Sequence, residues 1–208
     1  AEQKAYGVFE QNALKLRQAR QKAAKQLAKA VTASMQTLNM TGGQFDIAIT
    51  DASPSAQGMD AIEFQVAGHA GVPLQALHKV ASGGELARIS LALSVITSAA
   101  NPVPTLIFDE VDSGIGGAVA EVVGRLLAQI GQNRQVLCVT HLPQVAAQGT
   151  HHWRVSKTTS NGATHSTIEV LDEAQRIDEI ARMLGGVTIT VATREHAQEM
   201  LANRLRST

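Results

Sequence analysis

The sequence predicts an α/β fold, a mostly parallel sheet with flanking helices, preceded by a long N-terminal helix. Three observations predict it. Thr105-Leu106-Ile107-Phe108 and Gln135 to Thr140 are short apolar runs suited to buried parallel strands, and the helical stretch Val119 to Ile130 separates them. This strand–helix–strand order is the βαβ unit of α/β sheets. Residues 1–38 are rich in Ala, Gln, Lys and Leu and contain no Pro. The hydrophobic fraction of 44% supports a real core, and an aromatic content of 3% makes that core aliphatic, which excludes a disordered or fibrous chain.

The elements follow in order. Residues 1–40 read as one long helix with apolar or small residues at Phe9, Ala13, Leu16, Ala23, Leu27 and Ala30, interrupted by Arg20 and ended by Gly42-Gly43. Residues 41–208 form the body. Phe45, Ile47 and Ile49, then Ile62, Phe64 and Val66, alternate with polar or small residues, as half-buried strands do, across a loop holding Pro54 and Gly58. After a second loop, Gly68 to Pro73, a helix runs from Gly83 to Ala99 and stops at Asn101-Pro102. Beyond the βαβ unit, Trp153–Lys157 and Ser166–Leu171 flank the hairpin signal Asn161-Gly162. Helices over Glu173–Leu184 and about Thr193–Arg206 close the chain.

Charge and cysteine bound the function classes. The 208 residues carry no formal net charge, yet residues 1–40 hold seven Lys and Arg against Glu2 and Glu10, a surplus of +5. A basic helix beside an acidic body can attract nucleic acid, or it can be a solvated helix surface. Cys138 is the only cysteine, so an intrachain disulfide is excluded, and its apolar run assigns it a small buried side chain. No apolar run reaches the roughly 20 residues of a membrane span, and no secretory signal opens the chain. A soluble, cytoplasmic protein is expected. The absence of an initiator Met and the start inside a helical pattern point to a piece of something longer.

Chemistry is concentrated in four places. Ser82-Gly83-Gly84-Glu85 has the spacing of a capping box, but two glycines in a first helical turn cost about 1 kcal/mol each. Such a turn makes sense where a phosphate must approach the bare helix N-terminus. Asp109-Glu110 leaves the carboxyl end of a strand, where α/β proteins bind ligands. Asp at that position helps hold Mg²⁺ on nucleotide phosphates, and an adjacent Glu can polarise an attacking water. Asp112-Ser113-Gly114 begins a glycine-rich turn that lacks the spacing of a dinucleotide fingerprint. His141 ends the neighbouring strand, where an imidazole can reach a γ-phosphate or the attacking water. Each feature also has a structural reading: a capped helix, a solvated acidic loop, a structural histidine. His69, His78, His151, His152, His165 and His196 lack comparable context, and zinc at His151-His152 is disfavoured by the single Cys.

In this order the motifs resemble the ABC ATPase superfamily, in its chromosome-maintenance branch with coiled-coil insertions. Four blocks carry the likeness: Lys79 to Leu86, Phe108 to Gly117, Thr140 to Ala147 and Glu179 to Gly186. Gly68-His69-Ala70-Gly71 departs from the Asn-Pro-Gly type of loop, and Ala87 stands where Ser is usual; neither falls on the proposed chemistry. The resemblance implies the C-terminal lobe of a P-loop ABC-type ATPase head, with residues 1–40 as the end of a coiled-coil arm. It implies that Ser82, Gly83, Gly84 and Glu85 form the signature motif and act on nucleotide held by another head. Asp109 would support Mg²⁺, Glu110 would activate water, Asp112 and Ser113 would form the D-loop, and His141 would be the switch histidine. ATP and Mg²⁺ are the implied cofactors. A second head in a homodimer, the N-terminal half of the head and DNA are the implied partners, no membrane is involved, and the location is cytoplasmic and nucleoid-associated. The implied activity is ATP hydrolysis in double-strand break repair and recombination. None of the 17 glycines is followed by Lys, so no P-loop can be drawn in this chain, which is expected to be inactive alone. Two alternatives stand beside this reading: the head of another SMC-type or related repair ATPase, and a P-loop-less scaffold that binds DNA or protein.

Overall fold

An Ala-, Gln- and Lys-rich sequence without Pro gives the expected helix, α1, over Glu2–Thr37. The computed structural model describes residues 2–79, 83–98, 103–160, 163–185 and 188–204. They belong to two compact units, residues 1–101 and 102–208. In the first unit α1 packs on the antiparallel hairpin β1 (Gln44–Ser55) and β2 (Gly58–Ala67) and on helix α2 (Gly83–Ile96). A short strand, β3 (Gln75–Ala76), adds to the far edge of β2, and a 3-10 turn, Leu77–Lys79, follows it.

Burial along α1 is uneven. Val31, Met35 and, just beyond the helix, Leu38 and Met40 are fully buried, each contributing about 2 kcal/mol by removal from water. In its first half only Ala13 is buried, and polar contacts hold the helix there. Arg17 Nε lies 2.5 Å and Arg20 Nη1 3.0 Å from the two oxygens of Asp60, and Arg17 Nη2 is 2.6 Å from Asp51. The same guanidinium groups donate to the carbonyls of Met59 and Gln57. Asp60, 1% exposed at its side chain, would be raised by burial, but the two arginines hold its carboxyl below the ordinary carboxylate range.

The helix ends earlier than the glycine signal predicts. It stops at Thr37, Asn39 takes a left-handed φ of 60°, and Met40 N bonds back to Met35 O. Gly43 serves a different purpose: a Cβ there would lie 2.7 Å from Gly68 O and 2.9 Å from Met40 O. The two strands are also longer than expected. Pro54 sits inside β1, where the register slips between Asp51 and Ser55, rather than in a connecting loop. Such a bulge is a place where a strand tolerates a residue without an N–H. Phe45 and Val66 are buried as the alternation requires, but Ile62 and Phe64 are 49% and 37% exposed, because α1 and α2 do not cover that stretch of β2.

In the second unit the βαβ unit forms as predicted. β4 (Thr105–Phe108) and β5 (Gln135–Cys138) pair in parallel, Leu106 opposite Val136 and Phe108 opposite Cys138, with α3 (Gly117–Gly131) between them. The strands are not buried on both faces. Leu106 is partly covered and Phe108 buried, whereas Ile107 and Val139 are 70% and 63% exposed. β6 (Trp153–Ser160) and β7 (Ala163–Val170) form an antiparallel ribbon; its turn signal, Asn161-Gly162, lies outside the described residues. Trp153, Val155, Ile168 and Val170 share one face of that ribbon and are all more than half exposed. Helices α5 (Glu173–Gly185) and α6 (Val191–Arg204) pack together over Ile180, Ala181 and Ala197. Arg176 and Arg204 both donate to Gly149 O, at 2.6 and 2.8 Å, which fastens these helices to the segment after His141.

Asp60→Asn is expected to lower the melting temperature by releasing the first half of α1 from the hairpin. Because the folded carboxyl titrates below its unfolded range, its contribution is complete above about pH 4 and fades as pH falls through the lower, folded value. Melting curves of the two proteins should therefore differ at pH 7 and converge in strong acid.

Candidate functional site

The sequence-predicted site residues fall in both units. Of the signature segment, Gly83, Gly84 and Glu85 open α2, and Ser82 lies outside the described residues. Gly84 is buried and Gly83 exposed, so only one of the two presents its backbone outward. Glu85 lies against the Gly68-His69 loop: its Oε1 is 3.5 Å from His69 Nε2, and a Cβ on Gly68 would stand 3.4 Å from its Oε2. The departure in that loop therefore does touch the signature residues, contrary to the expectation from sequence. One turn further, Arg88 is buried, and burial lowers its pKa against the opposing pull of Glu85.

In the second unit, parallel pairing decides the geometry. Phe108 and Cys138 are partners in register and Val139 N donates to Phe108 O at 3.0 Å, so the segments after both strands leave the same carboxyl end. Asp109 and Glu110 emerge from β4, and Thr140 and His141 from beyond β5. This is the crevice in which open parallel sheets hold ligands. Asp109 and Glu110 are exposed, and Asp109 Oδ1 accepts the Glu110 N–H at 3.0 Å. Glu110 itself has φ 58°, one of two left-handed non-glycine residues among those described. For a residue with a Cβ this costs about 1–2 kcal/mol, and it turns the chain so that Ser113 N closes on Glu110 O at 3.0 Å.

Asp112 does not project into solvent as a loop acid would. Its side chain is 4% exposed, and Oδ2 receives the Thr140 hydroxyl at 2.5 Å, the His141 backbone N–H at 3.0 Å and the His141 ring at Nδ1, 3.2 Å away. A carboxylate offers only acceptors, so the neutral imidazole carries its proton on Nδ1 and turns its Nε2 lone pair outward. His141 is 71% exposed at its side chain, consistent with a ring fixed on one edge and open on the other. Thr140 also accepts Leu142 N at 3.0 Å, shaping the turn into helix α4 (Pro143–Ala146). α4 seats on α3 at Gly124, where a Cβ would meet Gln144 O at 3.1 Å and Val145 Cα at 3.2 Å. Thr140 and His69 were missed by sequence reasoning; a hydroxyl next to the predicted His was the available signal for the first.

Ser113 is exposed. Cys138 is half-buried rather than buried as the apolar run predicts; desolvation, and then the Asp112 and Asp109 charges, push its thiol up to about 12. Among the described residues no group of three or more His, Cys, Asp or Glu could hold a metal by itself. Asp109 fits a shared site instead, because Mg²⁺ is commonly held by one or two carboxylates together with nucleotide phosphates. No helix among the described residues is long and apolar enough to cross a membrane.

Solved structures define the fold. The chain has the fold of part of an SMC head domain: it aligns with the Smc head domain with a coiled coil and joint from Pyrococcus yayanosii at TM-score 0.55 and 20% identity, over 78% of this chain and 29% of that one. The Smc head from Pyrococcus furiosus, solved with an extended coiled coil and bound to the C-terminal domain of ScpA, aligns at TM-score 0.52 and 21% identity, over 79% and 39%. No protein-family model matches the chain. By sequence the chain is a homologue of the bacterial DNA repair protein RecN. It is 49% identical to RecN of Vibrio cholerae over 198 residues, 94% of this chain, and 46% identical to RecN of Haemophilus influenzae over 202 residues, 96% of this chain. It spans 36% of the length of each.

Two measurements probe the site. In ¹⁵N-resolved spectra His141 should show the Nδ1–H tautomer, and Asp112→Asn should shift the ring toward a tautomer mixture. Cys138 should resist a disulfide exchange reagent at pH 8 in the folded chain and react at once in denaturant.

Proposed function

We propose that this chain is the C-terminal part of a RecN-type ATPase head, acting in double-strand break repair and recombination through ATP-driven engagement of two heads. The observation that carries the reading is the convergence of Asp109, Glu110 and the Asp112-anchored His141 at one end of a parallel strand pair. Sequence identity of 46–49% to proteins named DNA repair protein RecN favours this over other chromosome ATPases, since the SMC heads near 20% identity speak only for the fold.

In this reading ATP is held by a P-loop in the remainder of the protein, and bound Mg²⁺ neutralises the phosphate charge. Asp109 supplies one carboxylate to that ion. Glu110, fixed by its left-handed backbone, orients and polarises the attacking water. The outward Nε2 of His141 accepts a hydrogen bond from that water when neutral and donates to the γ-phosphate when protonated, with Asp112 compensating its charge. Ser82 and the outward backbone at Gly83 contact the γ-phosphate of nucleotide bound by an opposite head. Hydrolysis removes that contact and the heads part, which moves the coiled-coil arms on DNA in the cytoplasm. The exposed Ile107 and Val139, and the bare face of the β6–β7 ribbon, are surfaces for the rest of the head to cover.

The 208-residue chain alone should hydrolyse no ATP. Turnover should return on mixing with the remaining part of the natural protein, and Glu110→Gln should then abolish turnover and accumulate ATP-bound dimers on gel filtration. Hydrolysis by the isolated chain at the rate of the mixture would overturn the reading.

A further inference from the structure

The loop that joins β2 to β3 carries an imidazole that the proposed chemistry does not use. Its shape is fixed by its neighbours. Val72 N donates to His69 O at 3.3 Å, and Gly71 holds the left-handed φ of 80° that such a tight turn requires. The turn after α1 packs against it: a Cβ on Gly43 would stand 2.7 Å from Gly68 O, and one on Gly42 2.6 Å from Ala70 Cβ. The loop therefore has no room to recede there. It also meets the first turn of α2, where Glu85 sets Oε1 3.5 Å from His69 Nε2 and rests Oε2 3.4 Å from where a Cβ on Gly68 would stand. Glu85 is the third residue of that helix, two beyond the exposed Gly83. A carboxylate there suits the helix, whose N-terminus favours negative charge, but it opposes any phosphate that comes to the same end. Arg88, buried on the same helix, is the permanent cation whose charge Glu85 feels. His69 is the cation that can be switched on: its side chain is 60% exposed and lies within ion-pair distance when protonated. Gly42 and Gly43 from the turn after α1, and Ala67 and Gln75 from the strands that the loop joins, bring no charge to it. His78 and Lys79 follow β3, and no ion pair links either of them to Glu85 among the described residues.

We propose that His69 is a positioning residue for nucleotide engagement: it takes a proton as a phosphate closes on the first turn of α2, and it then holds and neutralises the Glu85 carboxylate. This rests on the reading above, in which the outward backbone at Gly83 contacts nucleotide bound by an opposite head. Without the imidazolium, the Glu85 charge opposes the phosphate across one helical turn. With it, the charges of the pair sum to zero and the positive end of the helix acts on the phosphate undiminished. The phosphate itself favours the proton on His69, because added negative charge stabilises a nearby cation. Head engagement is therefore linked to proton uptake at each signature segment. That linkage is separate from any at His141, which belongs to the second unit.

The test uses the full-length natural protein carrying Glu110→Gln, with ATP and Mg²⁺, and reads the dimer dissociation constant by sedimentation between about pH 6 and 8, where histidine titrates. This parent should dimerise more tightly as pH falls. Adding His69→Ala should weaken dimers about tenfold at the acid end, about threefold from each signature segment of a symmetric pair, and should flatten that part of the pH profile. His69→Gln keeps a donor without charge and should behave like the alanine variant. His69→Lys, a permanent cation, should restore tight dimers at both ends of the range. A loop residue with only a structural role would give the opposite order, with Gln tolerated and Lys harmful. His69→Ala dimers that match the parent at every pH overturn the proposal, as does rescue by Gln and not by Lys. Absence of ATP-driven dimers in the parent itself overturns the head-engagement reading and this inference with it, so the two failures are told apart.

Discussion

Almost everything at the carboxyl end of the β4–β5 pair depends on one buried oxygen. Asp112 Oδ2 gathers a hydroxyl, a backbone amide and an imidazole from the segment that follows β5. Removing such an acceptor would strand the part-buried Thr140 hydroxyl and His141 amide, each costing about 1–3 kcal/mol where unmet, while the exposed imidazole would turn to water. The loop after β4 and the loop after β5 are therefore one mechanical piece. An acid that the motif assigns to the D-loop is, within the chain, the anchor of the histidine.

A similar division of labour runs along α1. Aliphatic burial fixes its last third, and the paired arginines fix the stretch beside the hairpin. Long cationic side chains can cover apolar or polar surface while keeping their charge satisfied. A helix whose arginines are committed inward can leave its lysines exposed without weakening its own attachment. The +5 surplus of residues 1–40 is therefore not evenly spread, and composition alone could not reveal its direction.

The parts of the fold that were legible in sequence are those set by local pattern. Apolar runs marked the parallel pair, alternation the first hairpin, the Asn161-Gly162 turn signal the second, and composition with start and stop residues the long helices within a few residues. What escaped was set by distant partners. Asp112 meets Thr140 across 28 residues, and Arg17 meets Asp60 across 43; neither pairing has a local signature. Pro54 reads as a loop breaker because the bulge that accommodates it depends on the partner strand. Ile107 reads as a core residue because it stands in an apolar run, and this chain covers only one face of the strand pair. For the site, the residue types were visible and their tethering was not. His69 shows the limit most clearly, since only the folded loop brings it to Glu85.

The left-handed backbone at Glu110 has a consequence for which residues this position can accept. Gly, Asn and Asp enter that conformation with least strain, whereas Val, Ile and Thr clash with their own main chain. On the proposed role of Glu110, substitution here is screened twice, by the water it would orient and by the torsion it must hold. Drift toward Asn, Asp or Gly would then remove the proposed chemistry while leaving the turn intact, so a lineage could retain a well-folded chain whose proposed nucleotide site no longer turns over.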